Sequence, residues 1–125
     1  MSDTQKHILI VEDDDLIAKL YQASLVDSGL HIQLETDGDS GWQALQAQIP
    51  DLVILDIMLP KLSGLDLLEK MRADERLKVV PVIMLSSLSS ESDKARALAA
   101  GANAYWVKNE VDMPQFSAQI KSFLP

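Results

Sequence analysis

The segment DLVILDIMLP, residues 51–60, runs from the apolar residues Leu52 to Leu55 straight into Asp56. Aspartate is depleted in strands and costly to bury without a partner. A carboxylate that ends an apolar run therefore invites a chemical reading. Three other apolar runs end in groups that could work with it. His7 to Val11 is followed by Glu12, Asp13, Asp14 and Asp15, Val79 to Leu85 by Ser86 and Ser87, and Ala104 to Val107 by Lys108. Carboxylates brought into one pocket repel and raise one another's pKa. A divalent cation relieves that repulsion, and an all-oxygen set suits Mg²⁺ or Mn²⁺. Carboxylate, cation, hydroxyl and lysine together can stabilise a transferring phosphoryl group, whose charge spreads over its oxygens. Singly, each group has an ordinary explanation: a serine after a strand caps a helix, and a lysine is solvated. Asp14 and Asp15 read as caps of the first helix, whereas Glu12 and Asp13 do not.

Hydrophobic periodicity gives the elements that must position these groups. After the strand His7 to Val11, the residues Ile17, Leu20, Tyr21, Ser24 and Leu25 recur at helical spacing, with Gly29 as terminator. His31 to Thr36 partly alternates, as in an edge strand with one wet side. Asp39 or Ser40 can cap a second helix that buries Trp42, Leu45 and Ile49. Leu52 to Leu55 is the central strand. Ser63 caps a third helix carrying Leu65, Leu68 and Met71. Val79 to Leu85 is a fourth strand with Pro81 near its start. The polar block SSLSSESDK leads into a fourth helix through Ala95, Leu98 and Ala99, ending at Gly101. Ala104 to Val107 is the fifth strand, and Asp112 caps a last helix with Phe116, Ile120 and Phe123 on its apolar side. Strict alternation implies an α/β fold with a parallel sheet and helices on both faces. Right-handed crossovers leave only a few doubly wound arrangements. Ligands of such sheets bind beyond the carboxyl ends of the strands, where all four groups lie.

The chain has 125 residues, enough for one domain, with no internal repeat and no linker. Its net charge of -8 repels phosphate backbones, so direct nucleic-acid binding is not expected. No cysteine is present, which removes disulfide and thiolate chemistry. The N-terminal MSDTQKH, with Asp3 before Lys6, lacks the apolar core of a secretory signal. The longest apolar stretch is far short of the roughly 20 residues of a membrane span. A cytoplasmic location without membrane attachment is expected. The start at Met1 suggests an N-terminal position, and the end at Pro125 is compatible with a single-domain protein or with one part of a longer chain.

Taken as a set, HILIVEDD, DLVILDIMLPKLSG, PVIMLSS and GANAYWVK resemble the receiver domain of two-component response regulators, including single-domain chemotaxis-type regulators. The resemblance covers essentially the whole chain, so residues 1–125 are expected to form one receiver domain. It implies a flavodoxin-like doubly wound (βα)5 three-layer sandwich with strand order 2-1-3-4-5. It implies a signalling domain rather than an enzyme, in which Asp56 accepts a phosphoryl group from a sensor histidine kinase or phosphotransfer protein. Glu12, Asp13, Asp56 and the backbone carbonyl of Met58 would hold Mg²⁺, with Mn²⁺ as substitute. Ser86 takes the place of the family's switch hydroxyl, Lys108 of its lysine and Tyr105 of its switch aromatic. Tyr105 is expected to turn inward on phosphorylation. The surface of the fourth helix, fifth strand and fifth helix would then signal to a downstream protein or output domain. Met58 and Leu88 would flank the phosphoryl group and slow its hydrolysis.

Three departures from the family pattern stand out. Asn109 replaces the proline that usually follows the lysine. A cis bond before a non-proline residue costs about 2.5–4 kcal/mol, so a trans Lys108–Asn109 bond is expected. Ser87 stands where a smaller residue is common. The last helix, QFSAQIKSF, lacks a basic residue that one dimerising subfamily carries. The alternative reading is a phosphorylation-independent pseudo-receiver acting as an interaction module, and Asn109 alone favours it. An aspartate-nucleophile phosphatase would want a second aspartate where Met58 stands. A flavodoxin would want a phosphate loop where the acidic EDDDLI stands. No P-loop is present. Trp42 reads as core, and Trp106 as packed under the last helix.

Overall fold

The computed structural model describes residues 5–124. The readings placed on Asp3 and on the two chain ends, Met1 and Pro125, fall outside the described residues. Five strands alternate with five helices: β1 His7–Val11, α1 Asp15–Ser24, β2 His31–Glu35, α2 Gly38–Ala47, β3 Leu52–Asp56, α3 Gly64–Arg72, β4 Val82–Ser86, α4 Glu91–Ala99, β5 Ala104–Val107 and α5 Met113–Lys121. A single 3₁₀ turn, Lys108–Glu110, separates β5 from α5. All neighbouring strands are parallel, in the order β2-β1-β3-β4-β5. This is the expected flavodoxin-like sandwich.

Side-chain alternation along the strands divides the core in two. Ile8, Ile10, Leu52, Ile54, Ile83 and Leu85 pack with Tyr21 and Leu25 at the α1 side and with Phe116 and Ile120 of α5. The intervening residues Leu9, Val11, Val53, Leu55, Val82 and Met84 pack with Leu45 of α2, Leu67, Leu68 and Met71 of α3, and Ala97 of α4. Every residue of β1, β3 and β4 is buried, which explains their continuous apolar runs, whereas β2 is a half-exposed edge. Trp106 packs its ring edge against Phe116 and Phe123, at 6.3 and 6.1 Å between centroids. Trp42 is only half-buried, with the Lys70 ammonium 5.0 Å above its ring.

Several local expectations are corrected by tertiary contacts. Helix α1 stops at Ser24, and Gly29 lies beyond it in a turn with φ of 81°. Its buried face is Ala18 and Tyr21, which leaves Leu20 exposed. Asp37, not Asp39 or Ser40, caps α2 by accepting the Ser40 N–H at 2.8 Å. Ile49 lies past the end of α2 and is exposed. Helix α3 buries Leu67 in addition to Leu68 and Met71, and Leu65 is only half-buried. Helix α4 seats Ala97 on the sheet and exposes Leu98. Strand β4 begins at Val82, because the Arg72 guanidinium donates to the carbonyls of Leu77, Lys78 and Val80 and holds that stretch as a turn. Val79 is consequently 80% exposed. Asp112 starts α5 without a side-chain capping bond. The Lys108–Asn109 bond is trans, as expected.

His7 begins β1 at the end of the sheet away from the carboxylates. Its ring is buried, 3.0 Å from Gln33 Oε1 and 5.0 Å from the His31 ring centroid, and its backbone N–H donates to Asp51 Oδ2. Burial is the main reason its pKa falls below 6.5, and His31 adds to the fall, while Gln33 and Asp51 oppose it. Folding thus favours the neutral ring. The contribution is complete above the unfolded pKa and is lost as pH falls below it. The thermal midpoint of the native chain should therefore drop more between about pH 7.5 and about pH 5.5 than that of His7→Gln. Parallel melting curves for the two would contradict this.

Candidate functional site

The run Glu12 to Asp15 divides its carboxylates by role. Glu12 extends β1, its N–H donating to the Glu35 carbonyl at 3.0 Å, and its side chain is only 2% exposed. The Asp14 N–H donates to Glu12 Oε2 at 3.1 Å, while the Asp14 carboxylate caps α1 through the N–H groups of Leu16 and Ile17. Asp15 occupies the first turn, where the helix dipole favours a negative charge. Asp13 is exposed at the rim between these two environments.

Asp56 is the last residue of β3 and is 5% exposed. Its Oδ1 accepts the Met58 N–H at 3.1 Å, and its Oδ2 lies 2.7 Å from Lys108 Nζ. The same ammonium lies 2.7 Å from Glu12 Oε1. The ends of β1, β3 and β5 are thus tied by one cation. One carboxylate oxygen from each of Glu12, Asp13 and Asp56 lies within 4.8 Å of the other two. Lys108 offsets one of three negative charges, so a divalent cation would balance the remainder. The all-oxygen donor set fits Mg²⁺ or Mn²⁺.

Burial is the largest influence on Glu12 and pushes its carboxyl up to about 6; the Asp56 charge adds to the rise, and Lys108 and the Asp14 N–H oppose it. Repulsion between carboxylates, the cause inferred from their positions at the strand ends, is therefore secondary. Burial alone would lower the Lys108 pKa, but its bonds to Asp56 and Glu12 outweigh that and raise it.

Two expected members sit differently. Ser86 ends β4 and is fully buried, with its Oγ accepting the Leu88 N–H at 3.0 Å. Tyr105 is already turned inward: it is buried, and its hydroxyl donates to the Leu88 carbonyl at 2.7 Å. Leu88 is half-buried and packs against the core, and Met58 is 60% exposed. Sequence reasoning overlooked Gly64. A Cβ there would overlap the Asp56 carbonyl, although its φ is ordinary, and its N–H donates to the Ile57 carbonyl at 2.9 Å. The glycine in KLSG was the visible signal.

The class that fold and site define is matched by comparison with known proteins. The chain belongs to the response regulator receiver domain family, which it matches over residues 8–121. It is 38% identical over 118 residues to the DNA-binding dual master transcriptional regulator RpaA of Synechocystis sp., covering 94% of this chain and 48% of that protein. It is 32% identical over 119 residues to the polar-differentiation response regulator DivK of Brucella ovis, covering 95% of this chain and 96% of that protein. The Mn²⁺-bound form of the response regulator Rcp1 superposes with a TM-score of 0.84 at 29% identity, covering 96% of this chain and 99% of the other. The chain spans about half the length of RpaA and of several other curated regulators it matches. Among the described residues, no helix is long and apolar enough to cross a membrane.

A cation held by Glu12 must compete with its proton. Mn²⁺ affinity should therefore be steady above about pH 7 and fall by up to about tenfold per pH unit well below the Glu12 pKa of about 6. Glu12→Gln should bind more weakly and lose most of this dependence. Calorimetric titration at several pH values checks it, and a pH-independent affinity in the native chain would contradict it.

Proposed function

We propose that Asp56 is the phosphoacceptor of a two-component signalling relay, taking its phosphoryl group from a phosphohistidine on a sensor kinase or phosphotransfer protein. The observation that carries this reading is the shared ammonium, 2.7 Å from both Glu12 and Asp56 in one acidic site. In the proposed reaction an Asp56 oxygen attacks phosphorus. The P–O bond forms as the P–N bond breaks, and the electron pair leaves with the imidazole. Lys108 and the Met58 N–H lie beside the reacting carboxylate, placed to donate to oxygens that carry the transferring charge. Mg²⁺, held by Glu12, Asp13, Asp56 and the Met58 carbonyl, would supply positive charge against the phosphoryl oxygens. A phosphorylation-independent module would have no need of this assembled set.

The output follows from the bonds around Leu88. Ser86 can donate its hydroxyl proton to a phosphoryl oxygen, and Lys108 can pair with another. Movement of Ser86 would pull on Leu88, whose carbonyl holds the Tyr105 hydroxyl. Transmission therefore runs through an inward tyrosine that is displaced, rather than one that arrives. Tyr105, Trp106, Lys94, Glu110 and Gln119 line an open groove of about 300 Å³ between α4, β5 and α5, which would receive a downstream protein or output domain. A full population reversal needs about 5.5 kcal/mol. Two charge-assisted bonds of roughly 1.5–3 kcal/mol each supply most of it. The acidic surface argues against this domain itself binding nucleic acid.

Treatment with a small phosphodonor and Mg²⁺ should add a single phosphoryl group at Asp56, detected by mass spectrometry. Asp56→Asn, or chelation of the metal, should abolish it. Stable phosphate at comparable yield on the Asn variant would overturn the assignment.

A further inference from the structure

The segment between β3 and α3, residues 57–63, is held in an uncommon shape. Lys61 has φ of 70°, a left-handed value that non-glycine residues seldom take. The Leu62 N–H donates back to the Pro60 carbonyl at 2.8 Å, which closes a three-residue turn around Lys61. Turns of this hand are rare and strained. Something outside the turn must hold it.

The N-terminus of α2 lies against it. The Gly38 N–H, one of the helix's initial donors without an intrahelical acceptor, donates to the same Pro60 carbonyl at 3.2 Å. The Asp37 cap carboxylate lies 3.8 Å from Lys61 Nζ. A Cβ on Gly38 would overlap the Leu62 carbonyl and crowd the Leu62 backbone. The φ of Gly38 is ordinary, so space alone demands glycine there. At its other end the segment is seated by Gly64 against the Asp56 carbonyl. Between the two anchors lies Met58, whose N–H holds Asp56 Oδ1.

We propose that Gly38 is a positioning residue for the divalent-cation site: by letting α2 grip Pro60 and Leu62, it sets the path of residues 57–63 and hence the Met58 carbonyl. This rests on the cation reading given above. The grip touches neither the cation nor the phosphoryl group. It acts by holding the strained turn, so that the binding-competent loop is formed before the cation arrives.

Coupling of this kind is reciprocal: if the grip favours the cation, the cation must favour the grip. In the native chain, saturating Mg²⁺ should slow hydrogen exchange of the Gly38 amide by at least about fivefold. The amides of Leu16 and Ser40, bonded to helix caps rather than to the loop, should change less. Gly38→Ala should melt cooperatively in chelator yet bind Mn²⁺ at least about fivefold more weakly. Adding Lys61→Gly, which takes the left-handed shape without strain, should restore part of that loss. If Mg²⁺ binds, as shown by shifts at Asp13 and Asp56, while Gly38 exchange is unchanged, the inference is overturned. It is overturned too if folded Gly38→Ala binds Mn²⁺ normally, because a glycine needed only for stability would behave that way. If native Mg²⁺ titration moves no resonance, the cation reading fails and this inference fails with it. The exchange measurement needs no variant, so it decides even if Gly38→Ala does not fold.

Discussion

One ammonium shared by two buried carboxylates is the constraint around which the site is built. Glu12 and Asp56 are almost inaccessible to water, and an unpaired charge in either place would be costly. Lys108 stands 2.7 Å from both and makes their burial tolerable. The compensation is incomplete, because Asp13 brings a third carboxylate to the same place and Glu12 retains a raised pKa of about 6. The site is left with excess negative charge. A bound cation, or the further negative charge of a phosphoryl group, would alter the balance at Lys108, and that would make the site responsive.

The rest of the fold serves to keep those ends in register. Strands β1, β3 and β4 are buried along their whole length, so a slip of one residue would exchange the two halves of the core. The pairing of Asp56 with Leu85 and of Ser86 with Val107 fixes where the carboxylate, hydroxyl and lysine emerge. Parallel strands place all these ends on one rim. Glycines at 38 and 64 then let α2 and the start of α3 close on the segment that follows Asp56.

What was legible in the sequence was whatever depended on nearby residues. The apolar runs Leu52 to Leu55 and Ala104 to Val107 had to be strands, and alternation with helices implied a parallel doubly wound sheet, whose observed order is the one that the family resemblance implied. The four reactive strand ends could be named because each follows an apolar run directly. Features set by distant contacts were not legible. In TDGDS four side chains, those of Thr36, Asp37, Asp39 and Ser40, can cap a helix, and the packing of Gly38 against Leu62 selects Asp37. Val79 looks like strand, but Arg72 captures the carbonyls around it. Leu98 looks like a core anchor, yet the close seat on the sheet goes to the smaller Ala97. The inward position of Tyr105 depends on a bond to Leu88, seventeen residues away in the chain, that no periodicity signals.

The most direct test of this account is a crystal structure of the chain with Mg²⁺ and beryllofluoride, a mimic of the phosphoryl group. Lys108 Nζ should leave Glu12 and meet a fluoride on the mimic at Asp56, with the cation between Glu12, Asp13 and Asp56. A structure in which the mimic and cation occupy Asp56 while Lys108 keeps both of its original carboxylate contacts would contradict the account.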